Sequence, residues 1–344
     1  MNKYPQKSYT LNYFHPQNRR YLGNKYKLLG FIEKVLKAKC GKFNSFCDIF
    51  AGTGTVGQYF NKKDIQIISN DFLESNYVSL KTFLESNVEV DVSDKLGYLN
   101  SLKPKEDNYF SVNFGNSYFS NNNAKKIGII REEINNVSAN KTEKNILISS
   151  LLYAVDRVAN TVGHYDAFRR KLDNLQPIVL AVPFIDYSKN KKNTVFKEDS
   201  NKLLRRIYSD ILYIDPPYNS RQYSDTYHLL ENLAEWKKPK VFGVAKKMDR
   251  KHIKSAYCLK NANVAFEDLI REANCKHILL SYNSTGESRH GRSNARINDL
   301  DIKKILEEKG SVEIFEKKYR IFTAGKNAFK NNKERIFYCK VKRK

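Results

Sequence analysis

The sequence feature that most restricts the fold is a short apolar run that ends at an aspartate and two prolines. Residues 211–214 read Ile-Leu-Tyr-Ile and are followed directly by Asp215, Pro216 and Pro217. Such a run predicts a buried strand, and we expect it to stop at Asp215 because proline cannot donate to a sheet ladder. In an open α/β sheet, ligands bind beyond the carboxyl ends of the strands. Asp215 and Tyr218 are therefore predicted to lie at the rim of a site.

A second feature lies far upstream, and it matters because the first alone fits an ordinary proline turn equally well. Residues 45–50 predict a strand that runs into the glycine-rich stretch 51–57 and a short helix through Phe60. Glycines let the backbone approach a ligand closely, while the helix offers free N–H groups. A further predicted strand, residues 65–71, ends at Asp71, whose carboxylate can accept both hydroxyls of a ribose. We therefore expect a nucleoside-containing cofactor; capping of the next helix is the alternative role for Asp71.

The charge of the chain indicates a polyanionic partner. Its 344 residues carry 61 Lys and Arg against 37 Asp and Glu, a net charge of +24, and phosphate contact is the usual reason for such an excess. A lysine-rich composition accounts for part of it. The sequence has no run of about 18 apolar residues, so no membrane span is expected, and residues 1–13 lack the apolar core of a signal peptide. Five scattered cysteines indicate reduced thiols, a cytoplasmic protein and no metal site.

Strands and helices alternate at both ends of the chain but not in its middle. Further strands are predicted to end near residue 196, to span 277–282, and to form a hairpin from 312–321 and 335–341. Between residues 76 and 193 the alternation fails, with loops over 99–126 and an apolar helix over about 144–160. We therefore predict an α/β fold in which residues 1–75 and 194–344 form the catalytic domain. Residues 76–193 are predicted to form an inserted region.

Basic and aromatic residues interleave within this inserted region, over residues 161–171. Cationic side chains can pair with phosphates, and aromatic rings and guanidinium groups can contact bases. The pattern therefore predicts a nucleic-acid-binding surface. For any single residue, a solvated charged face is the alternative. The residues expected to contact nucleic acid are His164, Tyr165, Arg169, Arg170, Lys171, Arg221 and Lys254.

Three motifs carry a family resemblance. They are Phe50-Ala51-Gly52-Thr53-Gly54, Asp215-Pro216-Pro217-Tyr218 and Arg20-Tyr21-Leu22-Gly23-Asn24-Lys25. In this order they resemble the cofactor loop, the catalytic motif and the amino-terminal motif of the N6-adenine DNA methyltransferases of the Dam-like α class. The resemblance is strongest to those that accompany restriction endonucleases, and it covers essentially the whole chain. It implies a Rossmann-like, S-adenosylmethionine-dependent methyltransferase sheet with an antiparallel carboxyl-terminal hairpin and an inserted target-recognition region.

The resemblance also implies roles for individual residues around S-adenosyl-L-methionine. Asp71 would hold the ribose, Asp199 the adenine amino group, and Tyr21 and Lys25 the amino-acid end of the cofactor. The backbone of the glycine turn would line the pocket. The cofactor-binding residues implied are Tyr21, Lys25, Phe50, Ala51, Gly52, Thr53, Gly54, Asp71, Asp199 and Asp215. Asp215, Pro216, Pro217 and Tyr218 would form the catalytic motif.

The chemistry of an exocyclic adenine amine agrees with this assignment. Its lone pair is delocalised into the ring, which makes it a poor nucleophile. Hydrogen bonds from both N–H groups to Asp215 and to the Pro216 carbonyl would favour a tetrahedral nitrogen with a localised lone pair. The base must be flipped out of the duplex to be reached. Tyr218 would then stack on its face, a contact worth roughly 1–3 kcal/mol.

Three other functions remain open at the level of sequence. A nicotinamide-dependent oxidoreductase fits the spacing of Gly52, Gly54 and Gly57 but leaves the Asp-Pro-Pro-Tyr stretch and the charge unexplained. An RNA N6-adenine methyltransferase shares the chemistry and the charge. A catalytically inactive DNA-binding relative is the third. We expect double-stranded DNA as the partner, a cognate restriction endonuclease that acts independently, no membrane association, and a monomer.

Overall fold

The computed structural model describes residues 12–217, 220–283, 297–318 and 333–342, and a single large sheet organises them. Within these residues the sheet has seven strands in the order β3-β2-β1-β4-β5-β7-β6. Strands β1 to β5 are parallel, and β7 runs antiparallel to both β5 and β6. Their bounds are β1 Ser45–Asp48, β2 Gln66–Asn70, β3 Thr194–Phe196, β4 Ser209–Ile214, β5 Cys275–Asn283, β6 Gly310–Lys318 and β7 Lys333–Val341. The predicted α/β class, Rossmann-like sheet and antiparallel hairpin are confirmed.

Helices cover both faces of this sheet, which is why its central strands are apolar on both sides. All six residues of β4 are buried. Ile211 and Tyr213 pack into one core cluster and Leu212 and Ile214 into another, as the two-residue period of a strand requires. The strand ends at Ile214, one residue before Asp215, because the prolines that follow cannot extend the ladder.

The helices differ in length and in what they cover. Their bounds are α1 Leu29–Lys39, α2 Thr55–Phe60, α3 Glu74–Leu80, α4 Ser93–Ser101, α5 Tyr109–Phe114, α6 Asn121–Val137, α7 Lys141–Val158, α8 Ser200–Leu204, α9 Tyr223–Thr226, α10 His228–Glu235, α11 Ala262–Glu272 and α12 Asp299–Lys309. A π-helical turn, Lys81–Glu85, continues α3. In the ranges that the structure describes, no helix is both long and apolar enough to cross a membrane.

The prediction of loops over residues 99–126 is wrong in part, because α5 lies within that range and α6 begins in it. Ser120 caps α6 by accepting a hydrogen bond from the backbone of Asn123. Beyond the cap, Ile127, Ile130 and Ile134 form an apolar stripe at helical spacing, and all three are fully buried. The apolar stripe begins only at Ile127, after the mostly polar residues 121–126. The first turn of α6 therefore shows no apolar periodicity from which a helix could be predicted.

Residues 76–193 lie between β2 and β3 and contain four helices after α3, namely α4 to α7. Their apolar side chains form one buried cluster that also takes in Leu229, Leu230 and Leu233 of α10. The helical region therefore builds its core partly on a helix that follows β4. The division into a catalytic domain and an inserted region stays a prediction.

The parallel strands end at one edge of the sheet, and this edge collects the acidic residues of interest. Asp48 ends β1, Asp71 follows β2 and Asp215 follows β4. Because β7 runs antiparallel to β5, its first residues lie at the same edge, with Glu334 opposite Asn283. The edge is where an open sheet of this kind binds ligands.

Candidate active site at the carboxyl edge of the sheet

A cavity of about 330 Å³ opens beyond the carboxyl ends of β1, β2 and β4. It is lined by the glycine turn after β1, by the segment before α1, by the residues that follow β4 and by a loop around residue 255. Of the predicted site residues, those that line it are Tyr21, Lys25, Phe50, Ala51, Gly52, Thr53, Asp71, Asp199, Asp215, Pro217 and Lys254. Residues separated by more than two hundred positions in sequence thus line one cavity.

The glycine turn has a conformation that only glycine adopts without strain. Gly52 and Gly54 have φ angles of 54° and 84°, in the left-handed region. A Cβ on Gly52 would lie 3.0 Å from the ring of Tyr21, and one on Gly54 would lie 2.8 Å from Leu80. The turn is therefore packed closely against both the amino-terminal segment and α3, and it leads directly into α2.

Asp71 is held by three donors from neighbouring elements. Its Oδ2 accepts from the backbone N–H of Gly52 at 2.9 Å, and its Oδ1 accepts from the backbone of Leu73 and the amide of Asn76, both at 3.0 Å. Burial raises the pKa of Asp71 to about 6, although these hydrogen bonds act to lower it. The bond from Leu73 forms a local turn and does not cap α3, because Leu73 is itself the N-cap residue and the N–H groups of the first helical turn bond to Glu231 instead. The three bonds do not exclude a ligand, because Oδ2 accepts only one of them and keeps a second lone pair.

Asp48 is a residue that the sequence analysis missed. It is the last residue of β1, is 1% exposed and lines the cavity. Among the described residues, no hydrogen-bond donor reaches its Oδ1. Burial raises the pKa of Asp48 well above its usual value, and the nearby charges of Asp215 and Asp71 raise it further. Its position immediately before the glycine turn was the signal in the sequence that could have identified it.

A stack of tyrosines fixes the amino-terminal segment against α9 and α10. The ring of Tyr21 lies 4.7 Å from that of Tyr227 at an interplanar angle of 11°, and 5.4 Å from that of Tyr223. The Tyr227 hydroxyl accepts from the backbone N–H of Leu22 at 2.6 Å. The buried guanidinium of Arg19 lies over both Tyr21 and Tyr227. These contacts hold Tyr21 at the cavity wall.

Lys25 lies between two carboxylates. Its Nζ is 3.1 Å from Oδ1 of Asp215 and 2.9 Å from Oε1 of Glu334. Burial raises the pKa of Asp215 to about 6, with Lys25 acting to lower it and Glu334 acting to raise it further. Glu334 was missed by the sequence analysis, which assigned the hairpin no chemical role. Nothing local in the sequence links it to Asp215.

The remaining predicted residues of the two motifs have different environments. Pro216 is buried and Pro217 lines the cavity, while Tyr218 lies outside the described residues. Asp199 lines the cavity and caps α8 by accepting from the backbone of Lys202 at 3.1 Å. Gly54 does not line the cavity but sets the shape of the turn that does.

A loop that precedes α11 closes the cavity and was not predicted as part of it. Gln222 and the backbone of Ser255 exchange two hydrogen bonds, of 3.0 and 2.8 Å, which fix this loop to the residues after β4. The ring of Tyr257 meets that of Phe50 edge-on, with centroids 5.0 Å apart. The Tyr257 hydroxyl donates to Asn201 at 2.9 Å. The predicted DNA contact Lys254 is exposed and also lines the cavity.

The other residues predicted to contact nucleic acid separate into an exposed group and a buried one. Arg169, Arg170 and Lys171 are exposed. Arg221 is exposed and lies 3.7 Å from Asp166, which also pairs with Lys247 at 2.8 Å. His164 is half-buried; burial lowers its pKa, as do the charges of Arg221 and Lys247, so it belongs to the same cluster.

The prediction that Tyr165 contacts nucleic acid is wrong. Its side chain is fully buried, and its hydroxyl donates to Oδ1 of Asp156 at 3.1 Å. The other oxygen of Asp156 accepts from the backbone N–H of Arg20 at 2.7 Å. Tyr165 therefore helps to hold the amino-terminal segment. Here an aromatic residue among basic ones is a core contact, in an irregular segment whose burial follows no regular period.

Comparison with known proteins gives a consistent set of similarities. A sequence model described as D12 class N6 adenine-specific DNA methyltransferase matches residues 21–290. The chain is 37% identical to modification methylase StsI of Streptococcus sanguinis, over 94% of this chain and 52% of that protein. It is 34% identical to type II methyltransferase M.FokI of Planomicrobium okeanokoites, over 88% of this chain and 48% of that protein. The chain thus spans about half the length of these two relatives. With type II methyltransferase M.NlaIII of Neisseria lactamica it shares 33% identity over 91% of this chain and 95% of that protein.

Proposed function

Because the chain belongs to the D12 class of N6 adenine-specific DNA methyltransferases, we propose that it transfers a methyl group from S-adenosyl-L-methionine to N6 of an adenine in duplex DNA. One observation carries the proposal: Asp215 and the glycine turn line the same cavity. The reaction requires a donor site next to an amine-binding site, and adjacent strands β1 and β4 supply the two. We further propose that the methylation is site-specific and protects DNA in a restriction-modification system, as the names of the relatives suggest.

The residues of the cavity fit S-adenosylmethionine chemically. The unsatisfied, buried Oδ1 of Asp48 suits the ammonium group of the amino-acid end. Asp71 is fixed beside the glycine turn, where its Oδ2 can accept from a ribose hydroxyl. Phe50 and Tyr257 offer aromatic surface for a purine, and Asp199 offers an acceptor for its amino group. The absence of a Cβ at Gly52 lets the ring of Tyr21 pack directly against the glycine turn at the cavity wall.

The mechanism depends on what the protein does to the adenine amine. S-adenosylmethionine supplies a methyl group on a sulfonium, which needs an electron pair from its acceptor. Asp215 and the Pro216 carbonyl would accept hydrogen bonds from the two N6–H groups, which localises the nitrogen lone pair towards the methyl group. As the new N–C bond forms, the S–C bond breaks, the cofactor leaves as a neutral thioether, and N6 releases one proton to solvent. Because the pKa of Asp215 is about 6, its carboxylate is the main form at neutral pH and can accept in this way. Tyr218 is proposed to stack on the flipped base.

The duplex is proposed to bind on the basic surface around the cavity mouth. Lys254 is exposed and lines the cavity, and Arg221 is exposed directly before Gln222, which also lines it. His164 and Lys247 lie near Arg221. Arg169, Arg170 and Lys171 extend this surface. Cations at these positions would replace counterions on the phosphates, in keeping with the net charge of +24. We also propose that the protein acts in the cytoplasm, as a monomer, beside an independent endonuclease.

A methyl-transfer assay tests the function directly. The protein is incubated with S-adenosylmethionine carrying a labelled methyl group and with duplex DNA, and the product nucleosides are separated. We expect the label in N6-methyladenine and in a fixed sequence context when the DNA is sequenced. RNA of the same sequence serves as competitor. Label that enters RNA and not DNA, or no labelled nucleoside at all, would overturn the proposal.

A further inference from the structure

We infer that Glu334, on β7, is a positioning residue for the proposed methyl transfer: it holds the Lys25 ammonium beside Asp215 and so fixes the orientation and charge of that carboxylate. The inference rests on the proposed function of the cavity. It gives the carboxyl-terminal hairpin a role in the reaction, although Glu334 itself need not touch either substrate.

The three charged groups form one buried unit. Lys25 Nζ lies 2.9 Å from Glu334 and 3.1 Å from Asp215, and the side chains of Lys25, Glu334 and Asp215 are 5%, 3% and 17% exposed. At this burial water screens the charges poorly. Removing one partner of such a pair leaves an uncompensated buried charge, so the position of each group depends on the other two.

The sheet supplies the fixed end of this unit. Glu334 lies opposite Asn283 in the β5–β7 ladder, and its Oε1 accepts from the hydroxyl of Ser281 at 3.0 Å. Lys25, in contrast, lies in an irregular segment, after a turn in which Gly23 has a φ of 78°. The ladder therefore anchors Glu334, and Glu334 anchors Lys25. Without the Glu334 carboxylate, the Lys25 ammonium would keep Asp215 as a buried counter-charge.

The titratable groups that face Asp215 come from four elements. Lys25 precedes α1, Glu334 is on β7, Asp48 ends β1, and Tyr213 is on β4 itself. Lys25 acts to lower the pKa of Asp215 and Glu334 acts to raise it. Because Lys25 is shared with Glu334, its positive charge compensates less of the negative charge on Asp215. Asp215 is therefore a stronger hydrogen-bond acceptor for the N6–H groups than it would be if Lys25 paired with it alone. Neutralising Glu334 should therefore lower the pKa of Asp215 and weaken it as an acceptor.

Glu334→Gln tests this, because it removes the charge but keeps the size and an acceptor oxygen. We expect kcat for DNA methylation to fall roughly 10- to 100-fold, the loss that a slight misplacement of a catalytic group causes. The affinity for S-adenosylmethionine should stay close to that of the wild type, and the acid limb of the kcat–pH profile should move to lower pH. The matched control is Glu316→Gln, since Glu316 forms an exposed pair with Lys333 on the same hairpin. It should behave as the wild type.

A second measurement is independent of activity. The carboxyl carbon of Asp215 is followed by NMR during a pH titration of the protein alone, with the assignment made from Asp215→Asn. We expect the apparent pKa to fall in Glu334→Gln and to rise in Lys25→Met. Should Glu334→Gln fold poorly, Glu334→Asp retains the charge but withdraws it by one methylene, and kcat should again fall.

Two outcomes would separate the possible failures. If the wild type transfers methyl groups to DNA while Glu334→Gln matches it in kcat, in pH profile and in the titration of Asp215, the inference fails and the proposed function stands. If the wild type itself methylates no adenine in DNA, the proposed function fails.

Discussion

The backbone N–H of Gly52 donates a hydrogen bond to Oδ2 of Asp71 across 2.9 Å. This bond joins the turn after β1 to the carboxylate after β2, so that the two sequence features that predict a cofactor form one wall. It also fixes the direction in which the remaining lone pair of Asp71 Oδ2 points.

Replacing Asp71 with alanine should mainly weaken cofactor binding. The lost acceptor is a charged group, and such a hydrogen bond is worth about 1.5–3 kcal/mol. Affinity for S-adenosylmethionine, measured by calorimetry, should fall roughly 10- to 100-fold. Asp64→Ala is the control, because Asp64 is exposed just before β2. An unchanged affinity in Asp71→Ala would refute the role.

Replacing Gly54 with alanine should destabilise the fold. Its φ of 84° and the 2.8 Å approach to Leu80 both oppose a Cβ. The left-handed backbone alone costs about 1–2 kcal/mol, measurable by urea denaturation. Gly30→Ala is the matched control: this glycine is in α1, has an ordinary φ and has no atom within 4 Å of the position that a Cβ would take. It should be neutral or stabilise by up to about 1 kcal/mol.

Replacing Asp215 with alanine should stop methyl transfer but leave the cofactor bound. Removal of one preorganised group at a developing charge typically costs about 100- to 1000-fold in kcat. Lys25 keeps Glu334 as a partner, so the fold should survive. In the wild type, kcat should rise with pH through about 6, where Asp215 ionises. Single-turnover rates and calorimetry measure both effects, and near-normal turnover in the variant would contradict the assignment.

The stability of the protein should depend on Glu231, a buried residue of α10. Its two carboxylate oxygens accept from the backbone of Glu74 and Ser75 at the start of α3. Burial nevertheless raises its pKa to about 7, from an ordinary value of 4.5. A raised folded-state pKa favours the protonated form, so the contribution of Glu231 is fully present below pH 4.5 and is lost as the pH rises through about 7.

Urea titrations between about pH 5 and 8 test this dependence. The free energy of unfolding should fall more steeply with pH in the wild type than in Glu231→Gln, which cannot ionise. Glu307→Gln is the control, since Glu307 is exposed on α12 and should leave the slope of the wild type unchanged. Equal slopes in the wild type and Glu231→Gln would rule out the titration of Glu231 as the cause.

Charge reversal of Arg169, Arg170 and Lys171 should weaken DNA binding and flatten its dependence on salt. Each lost phosphate contact should reduce the slope of log K against log salt by about 0.9. Fluorescence anisotropy at several salt concentrations gives that slope. Reversal of Lys62 and Lys63 is the control, because these exposed residues precede β2 at the opposite edge of the sheet. A slope that does not change would show that residues 169–171 do not contact phosphates.

The sequence predicted the strands and turns of the site but not all of its members. Asp71 and Asp215 follow strands that a short apolar run and a proline mark clearly. Asp48 was not predicted, although its position in an apolar strand before the glycine turn was a signal; its burial beside two other carboxylates is a result of the tertiary structure. Tyr165 was misassigned because exposure cannot be read from a stretch without regular periodicity.

What the sequence determined by itself is local: the strand that ends just before Asp215 and the prolines, and the left-handed turn at Gly52 and Gly54. Backbone sterics act between neighbours, so these features need no distant partner. The meeting of Lys25 with Asp215 and Glu334 was decided by the tertiary structure alone. Buried charges are stable only as partners, and which partners meet depends on how strands far apart in sequence pair and pack.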